Sequence, residues 1–270
     1  MLADSTPAMT VRCLGNFRLE INGEPVAHWR AGKARALFQY LLINRGRLVH
    51  RNRLHEVLWP DGGDRSSNSL KVAVHAVRRV LGACDKSDGF RLVHQDHGYM
   101  LQAQNTWVDL EEFERAFEQG REAWAAKDHQ RALEWFQTAA DLYTGDFLAG
   151  ETGDWINEQR QWAQGVALRA LAVLRADSLE REDWPAALHW CRQTISLDPC
   201  HEDTYRTLMM IHGELGELAR ARDWYELCRR RLSRDLDTEP TEHTERVLAS
   251  LTRRANRRLA PALAGAPSAF

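Results

Sequence analysis

Along SSNSLKVAVHAVRRVLG (66–82), Asn68, Lys71, His75, Arg78 and Arg79 recur at short helical intervals, and their shared chemistry is recognition of anions and base edges. At about 100° per residue the stretch predicts a helix with Leu70, Val74, Val77 and Leu81 on one stripe. Asn68, Lys71, Val72, His75 and Arg79 then fall on the opposite side. That outer face carries no carboxylate, whereas an ordinary solvated helix mixes both signs. An Arg can grip guanine O6 and N7 with two hydrogen bonds and an Asn can do the same for adenine, each pair being worth about 1–3 kcal/mol of discrimination. We read the stretch as a DNA-recognition helix, although from these residues alone an amphipathic helix with a basic outer face fits as well. Arg78 lies nearer the apolar stripe than Arg79, so it is expected to touch phosphate or to lay its stem against a preceding helix.

Other positions could serve the same chemistry. FRLVHQDHGYMLQ (90–102) reads as two short strands around a tip at Gln95, Asp96, His97 and Gly98, which makes Arg91, His94 and His97 candidates for a DNA-contacting wing. Lys33, with Gly32, Arg30 and Arg35, opens one predicted helix, and Arg51, with Arg53, opens the next. Free backbone N–H groups at helix starts suit phosphates, and solvated surface is the equal alternative. Asp61, Gly62, Gly63 and Asp64 form a turn by themselves.

Enzyme chemistry finds no footing. Gly32-Lys33 lacks the glycine spacing of a phosphate loop, and no GxSxG or HExxH string occurs. His94 with His97, or Cys200 with His201, could begin a zinc site, but no second ligand pair accompanies either, so neither metal nor cofactor is expected. Five scattered cysteines read as reduced thiols.

The elements that must position these residues follow a switch of period along the chain. Val11 to Asn22 alternates like strands, and Asn22-Gly23 signals a hairpin turn into Val26. From Lys33, Ala34, Leu37, Phe38, Leu41 and Leu42 recur at helical spacing up to Gly46, and a second helix from Arg51 presents Leu54, Val57, Leu58 and Trp59. Sheet, helix, helix, long helix and hairpin is the order of a winged helix-turn-helix, in which the last helix enters a major groove about 12 Å wide. Charge agrees with this division. Residues 1–107 hold 15 Lys and Arg against 9 Asp and Glu, a balance of +6, and the remainder carries −8, so the first part suits a polyanion and the second does not. With 44% apolar and 27% charged residues, and no signal-peptide or membrane-spanning pattern, a cytoplasmic globular protein of two domains is expected.

From Trp107 the pattern turns helical to about Arg254. Gly120 with Ala132 and Phe136, Ala187 with Pro199, and Ala221 with Tyr225 follow the tetratricopeptide scheme of small residues at helix crossings, and the step from 187 to 221 is the 34 residues of that repeat. The longer step from 132 to 187 is assigned to an inserted segment, Tyr143 to Gln161, with a helix starting near Asp154. We expect a winged-helix domain over 10–104, a helical-repeat domain over 107–254 and a disordered tail over 255–270.

The strings VRCLGNFRLEINGEPV, GKARALFQYLLINRGRLVHRNRLHEVLWPD, SLKVAVHAVRRVLG and FRLVHQDHGYMLQ resemble the OmpR/PhoB-type DNA-binding half of the Streptomyces antibiotic regulatory proteins. YTGDFL, WINEQR, the stretch from LDPCHEDTYRTL to RRRLSRDL, and TEPTEHTERVLASL are similar to the bacterial transcriptional activator domain of the same family. Leu236-Asp237 departs from it, since Leu-Gly is usual there. The resemblance implies an activator that docks on direct repeats of double-stranded DNA as a side-by-side dimer. It further implies contact with RNA polymerase holoenzyme through its sigma subunit, with Asp61 to Asp64 touching polymerase, and control of antibiotic-biosynthesis genes. The rival reading is a tetratricopeptide adaptor whose winged helix docks protein.

Overall fold

The computed structural model describes residues 7–26, 29, 32–60, 67–82 and 90–264. The chain divides into two compact units: Met1–Glu118 with Asp141–Ala163, and Gln119–Ala140 with Gln164–Phe270.

The first unit begins with a four-stranded sheet of order β3-β2-β1-β7. β1 (Met9–Arg12) pairs antiparallel with β2 (Arg18–Ile21), and Met9, Val11, Leu19 and Ile21 turn inward, as alternation requires. Asn22 and Gly23 both take positive φ, 52° and 80°, which is the backbone of a two-residue turn matched to strand twist, and they lead into β3 (Glu24–Pro25). β7 (Thr106–Val108) returns from far along the chain to lie parallel to β1. Directly after it, the Asp109 carboxylate accepts from the amides of Cys13 (2.7 Å) and Leu14 (2.9 Å) across the sheet end, and from the Leu110 amide (2.8 Å). Burial pushes this carboxyl above the usual carboxylate range, while the three amides pull the other way.

Between these strands stand α1 (Ala34–Ile43), α2 (Arg51–Leu58) and α3 (Ser67–Leu81), then β5 (Arg91–Gln95) and β6 (Gly98–Gln102). The inward stripe of α1 is the one read from spacing, and it also takes in Gln39 and Tyr40; on α2, Leu54 and Leu58 are buried while Val57 and Trp59 are half-exposed. Phe38 is flanked by Trp29 and Phe17, with ring centroids 5.4 and 6.3 Å away. A short strand, β4 (Val49–His50), pairs with β6 and completes a three-stranded sheet β4-β6-β5. That approach needs Gly98, since a Cβ there would lie 2.6 Å from the Val49 carbonyl oxygen.

α4 (Asp109–Ala125) starts at the buried carboxylate. The segment Asp141–Ala163 belongs to the first unit and seals the β1–β2 loop. The Leu148 amide donates to the Cys13 carbonyl (2.8 Å), the Gly15 amide to the Asp146 carbonyl (3.0 Å) and the Ala149 amide to the Gly15 carbonyl (2.9 Å). Arg160 locks the same turn by donating to the carbonyls of Phe147, Leu148 and Glu151.

The second unit is helical, with residues from α4, α5 (His129–Leu142) and α6 (Asp154–Glu180), then α7 (Trp184–Leu197), α8 (Glu202–Glu214), α9 (Leu218–Leu236) and α10 (Glu242–Ala264). Ala132, Ala187 and Ala221 are fully buried, and a Cβ on Gly120 would lie 2.8 Å from the Phe136 ring, so the small residues sit where helices cross. α7, α8 and α9 share a core of Cys191, Ile195, Tyr205, Leu208, Cys228 and Leu232. Cys13, Cys191, Cys200 and Cys228 are free thiols; Cys84 lies outside the described residues. α10 continues through Ala264, where a disordered tail from residue 255 is expected; Ala255, Arg257, Arg258 and Leu259 are good helix formers in sequence past that point.

Asp237 ends α9 in the left-handed conformation, φ 52° and ψ 40°, and the Thr238 amide donates back to the Leu232 carbonyl. The residue that departs from the family pattern therefore occupies the position a helix-terminating glycine would take. Replacing Asp237 with Gly is expected to raise stability by about 0.5–1 kcal/mol, and Asp237→Val to lower it by at least as much, measured by urea unfolding. Removing the Asp109 acceptor strands three buried amides. Asp109→Ala should cost about 3 kcal/mol or more, with Asp109→Asn intermediate, and amide exchange across Met9–Val11 should speed up in step.

Candidate nucleic-acid interface

α3 is placed by its apolar stripe. Leu70, Ala73, Val74, Val77 and Leu81 are buried, although four valines make the sequence a mediocre helix former, so tertiary burial supplies the stability that propensity does not. Asn68, Lys71, Val72, His75 and Arg79 consequently stand exposed along the outer face. The Arg79 guanidinium lies 3.3 Å from His75 Nε2, and among the described residues no carboxylate pairs with Lys71, His75 or Arg79.

Arg78 behaves differently. Its Nε and a terminal nitrogen both donate to the Leu92 carbonyl of β5, at 3.3 and 3.1 Å. Its partner is thus the hairpin rather than α2, because the stripe carrying Val74 and Val77 turns the edge residue Arg78 toward the strand that packs beside it. One arginine fixes the spacing between the helix and the wing.

A second tie joins the wing to α2. Arg51 approaches His94 Nε2 at 2.7 Å, its guanidinium lies 5.9 Å from the Tyr99 ring centre, and its amide donates to the His97 carbonyl at 3.0 Å. A guanidinium can only donate, so the imidazole Nε2 is the acceptor of this pair. Sequence spacing treats Arg51 and His94 as separate candidates; the fold makes them one cationic cluster. Asp96 and His97 occupy the exposed hairpin tip with φ of 44° and 63°, and Arg91 is exposed at the start of β5.

The remaining candidates do not join this group. Lys33 is exposed at the start of α1, and among the described residues no side-chain hydrogen bond or ion pair links it to α3 or the wing. Its neighbour Arg35 is engaged with Glu151 at 2.8 Å and lies over the Phe17 ring. Arg53 contacts the Tyr40 hydroxyl and Glu56. Arg30 and the turn Asp61, Gly62, Gly63 and Asp64 lie outside the described residues. The surface as a whole is a helix and a hairpin held at fixed spacing, both presenting cations and hydrogen-bond donors, which can follow a phosphate backbone and reach base edges.

Comparison with known proteins finds two family models, one after the other along the chain. Residues 108–252 match the family model of the bacterial transcriptional activator domain, and residues 29–101 match that of the transcriptional regulatory protein C-terminal region. Transcriptional regulator RedD of Streptomyces coelicolor is 31% identical over 216 residues, covering 78% of this chain, and the chain spans 61% of RedD. Regulatory protein DnrI of Streptomyces peucetius is 24% identical over 252 residues, covering 91% of this chain and 92% of DnrI. The solved structure of Mycobacterium tuberculosis EmbR, in complex with a low-affinity phosphopeptide, matches with a TM-score of 0.70 at 21% identity over 96% of this chain and 69% of that one, a likeness of fold.

The two adjacent arginines should separate experimentally. Arg78→Ala leaves the Leu92 carbonyl without its donor and should lower stability by about 1–2 kcal/mol, read as a fall in melting temperature. Arg79→Ala removes an exposed side chain and should change stability by less than about 0.5 kcal/mol.

Proposed function

The chain belongs to the Streptomyces antibiotic regulatory protein family, an OmpR/PhoB-type winged helix joined to a bacterial transcriptional activator domain, and from that membership we propose that it is a sequence-specific DNA-binding activator of transcription. α3 enters the major groove, with Asn68, Lys71, His75 and Arg79 meeting bases and phosphates. Arg78 positions the wing, and Arg91, His94, His97 and Arg51 meet the adjacent backbone. Lys33 contributes a phosphate contact at the start of α1. The observation that carries this reading is the outer face of α3: four hydrogen-bonding or cationic side chains, exposed and unpaired with any carboxylate among the described residues.

Protomers bind side by side on direct repeats upstream of a promoter, in the bacterial cytoplasm at the nucleoid. The chain recruits RNA polymerase holoenzyme through its sigma subunit, with the turn at Asp61, Gly62, Gly63 and Asp64 as the contact. No chemistry is needed for activation: each protein–polymerase contact worth about 1.4 kcal/mol raises polymerase occupancy about tenfold while polymerase is scarce. The family points to secondary-metabolite genes as targets. Among the described residues no helix is long and apolar enough to cross a membrane.

The test is a salt titration of binding to random duplex DNA. Affinity should fall with a log–log slope of about −0.9 for each phosphate neutralised, and Arg79→Ala should weaken binding to a selected site by more than its change in slope explains. A flat response to salt, or no binding at 50 mM salt, would mean the winged helix docks something other than DNA.

A further inference from the structure

Among the described residues, Val72 has no place in the buried core. Its side chain is 54% exposed on the outward ridge of α3, one turn after Asn68, beside Lys71 and one turn before His75. The buried stripe of the helix is complete without it, since Leu70, Ala73, Val74, Val77 and Leu81 already fill the core side. Local preference gives no reason for it either: a β-branched residue is a poorer helix former than Ala, and an exposed helix position favours a polar or straight-chain side chain. The face around it is hydrogen-bonding and cationic, so Val72 is an apolar island in a surface otherwise suited to DNA.

In the major groove one base-edge feature is apolar, the C5 methyl group of thymine. We propose that Val72 is a specificity-determining residue that packs its γ-methyl groups on a thymine C5 methyl, so that the site read by α3 holds a T·A pair between the positions facing Asn68 and His75. Cytosine at that place would lose the methyl contact and set its N4 amine against a side chain that cannot accept a hydrogen bond. The inference rests on the DNA-reading role of α3 argued above.

The experiment uses the full chain and duplexes it selects from a randomised pool, with each thymine replaced in turn by deoxyuridine, a change that removes the C5 methyl and nothing else. One thymine per bound protomer should weaken wild-type binding about fourfold on replacement, the value of one buried methyl group. Val72→Ala should bind the thymine duplex about fourfold less tightly than wild type, bind the deoxyuridine duplex as wild type does, and show no further loss at that position. Val72→Thr, which keeps one methyl group, should fall between them. Because the side chain is exposed and Ala is the better helix former, Val72→Ala should melt no lower than wild type, and Val72→Thr close to it. Equal losses by Val72→Ala on both duplexes, or no thymine whose methyl matters, would overturn the assignment while salt-dependent duplex binding keeps the DNA-reading role standing. Absence of salt-dependent binding to any duplex would overturn both.

Discussion

Burying a carboxylate is unfavourable unless its lone pairs are answered, and at Asp109 they are answered by three backbone amides, two of them from Cys13 and Leu14, nearly a hundred residues earlier. The arrangement satisfies both sides. The β1–β2 loop turns its amides inward at the end of the sheet, where no neighbouring strand can receive them, and one side chain receives two at once. The carbonyls of the same loop are met from another direction, by the Leu148 and Ala149 amides and the Thr144 hydroxyl. Three residues of the loop, Cys13, Leu14 and Gly15, are thereby fixed by two distant segments, which ties residues 141–163 to the first unit. The cost shows in the carboxyl group, which burial holds above the usual range despite its three donors. Cys13 beside it is raised well above the ordinary thiol range, first by burial and then by the Asp109 charge, which leaves it an inert packing residue.

With the sheet closed, α1 and α3 can use their apolar stripes on one another, and the orientation of α3 follows. What burial alone does not set is the spacing between α3 and the hairpin. Two arginines do that, by different means. Arg78 spends its guanidinium on a strand carbonyl, a contact that tolerates no other donor geometry as well. Arg51 uses its amide, its guanidinium and the face of Tyr99 together. A surface made from a helix and a hairpin is useful for reading a duplex when the two move as one, and these contacts supply that rigidity.

The periodic part of this fold is legible in the sequence itself. The stripe of α1, the two faces of α3, the Asn22-Gly23 turn and the start of α6 at Asp154 all follow from spacing and turn chemistry, because each is a local pattern repeated over several residues. The non-local pieces were not legible. Thr106–Val108 is three residues long and reads as the approach to a helix, yet it pairs with β1 across most of the first unit. Val49–His50 is two residues long and is a strand because Gly98 lets another backbone come close. Tyr143 to Gln161 looked like an insertion in a repeat array, and its hydrogen bonds to Cys13 and Gly15 lie in partners no spacing rule could name. At the interface, the outward set was readable from the helical wheel, but the Arg78–Leu92 and Arg51–His94 contacts depend on how elements dock. Asp237, which departs from the family pattern at a turn, takes the left-handed conformation that a glycine there would adopt without strain.

Charge is the last property that the sequence states in bulk and the fold resolves by position. The C-terminal stretch has the larger excess of one sign, yet several of its acidic groups are engaged. Glu202 accepts from the Thr241 amide and from the hydroxyls of Thr241 and Thr244 beside Arg206; burial pushes its carboxyl up, but these hydrogen bonds outweigh it and hold it below the usual range. Glu217 is held low by His212 and Arg220, Glu226 meets Arg229, and Glu214 meets Arg254. These pairs neutralise one another, and exposed pairs of this kind add little stability each. The cations on α3 are fewer but have no such partners among the described residues. A polyanion approaching the protein gains from charges that are not already satisfied, and the outer face of α3 is where the fold leaves a set of them unpaired.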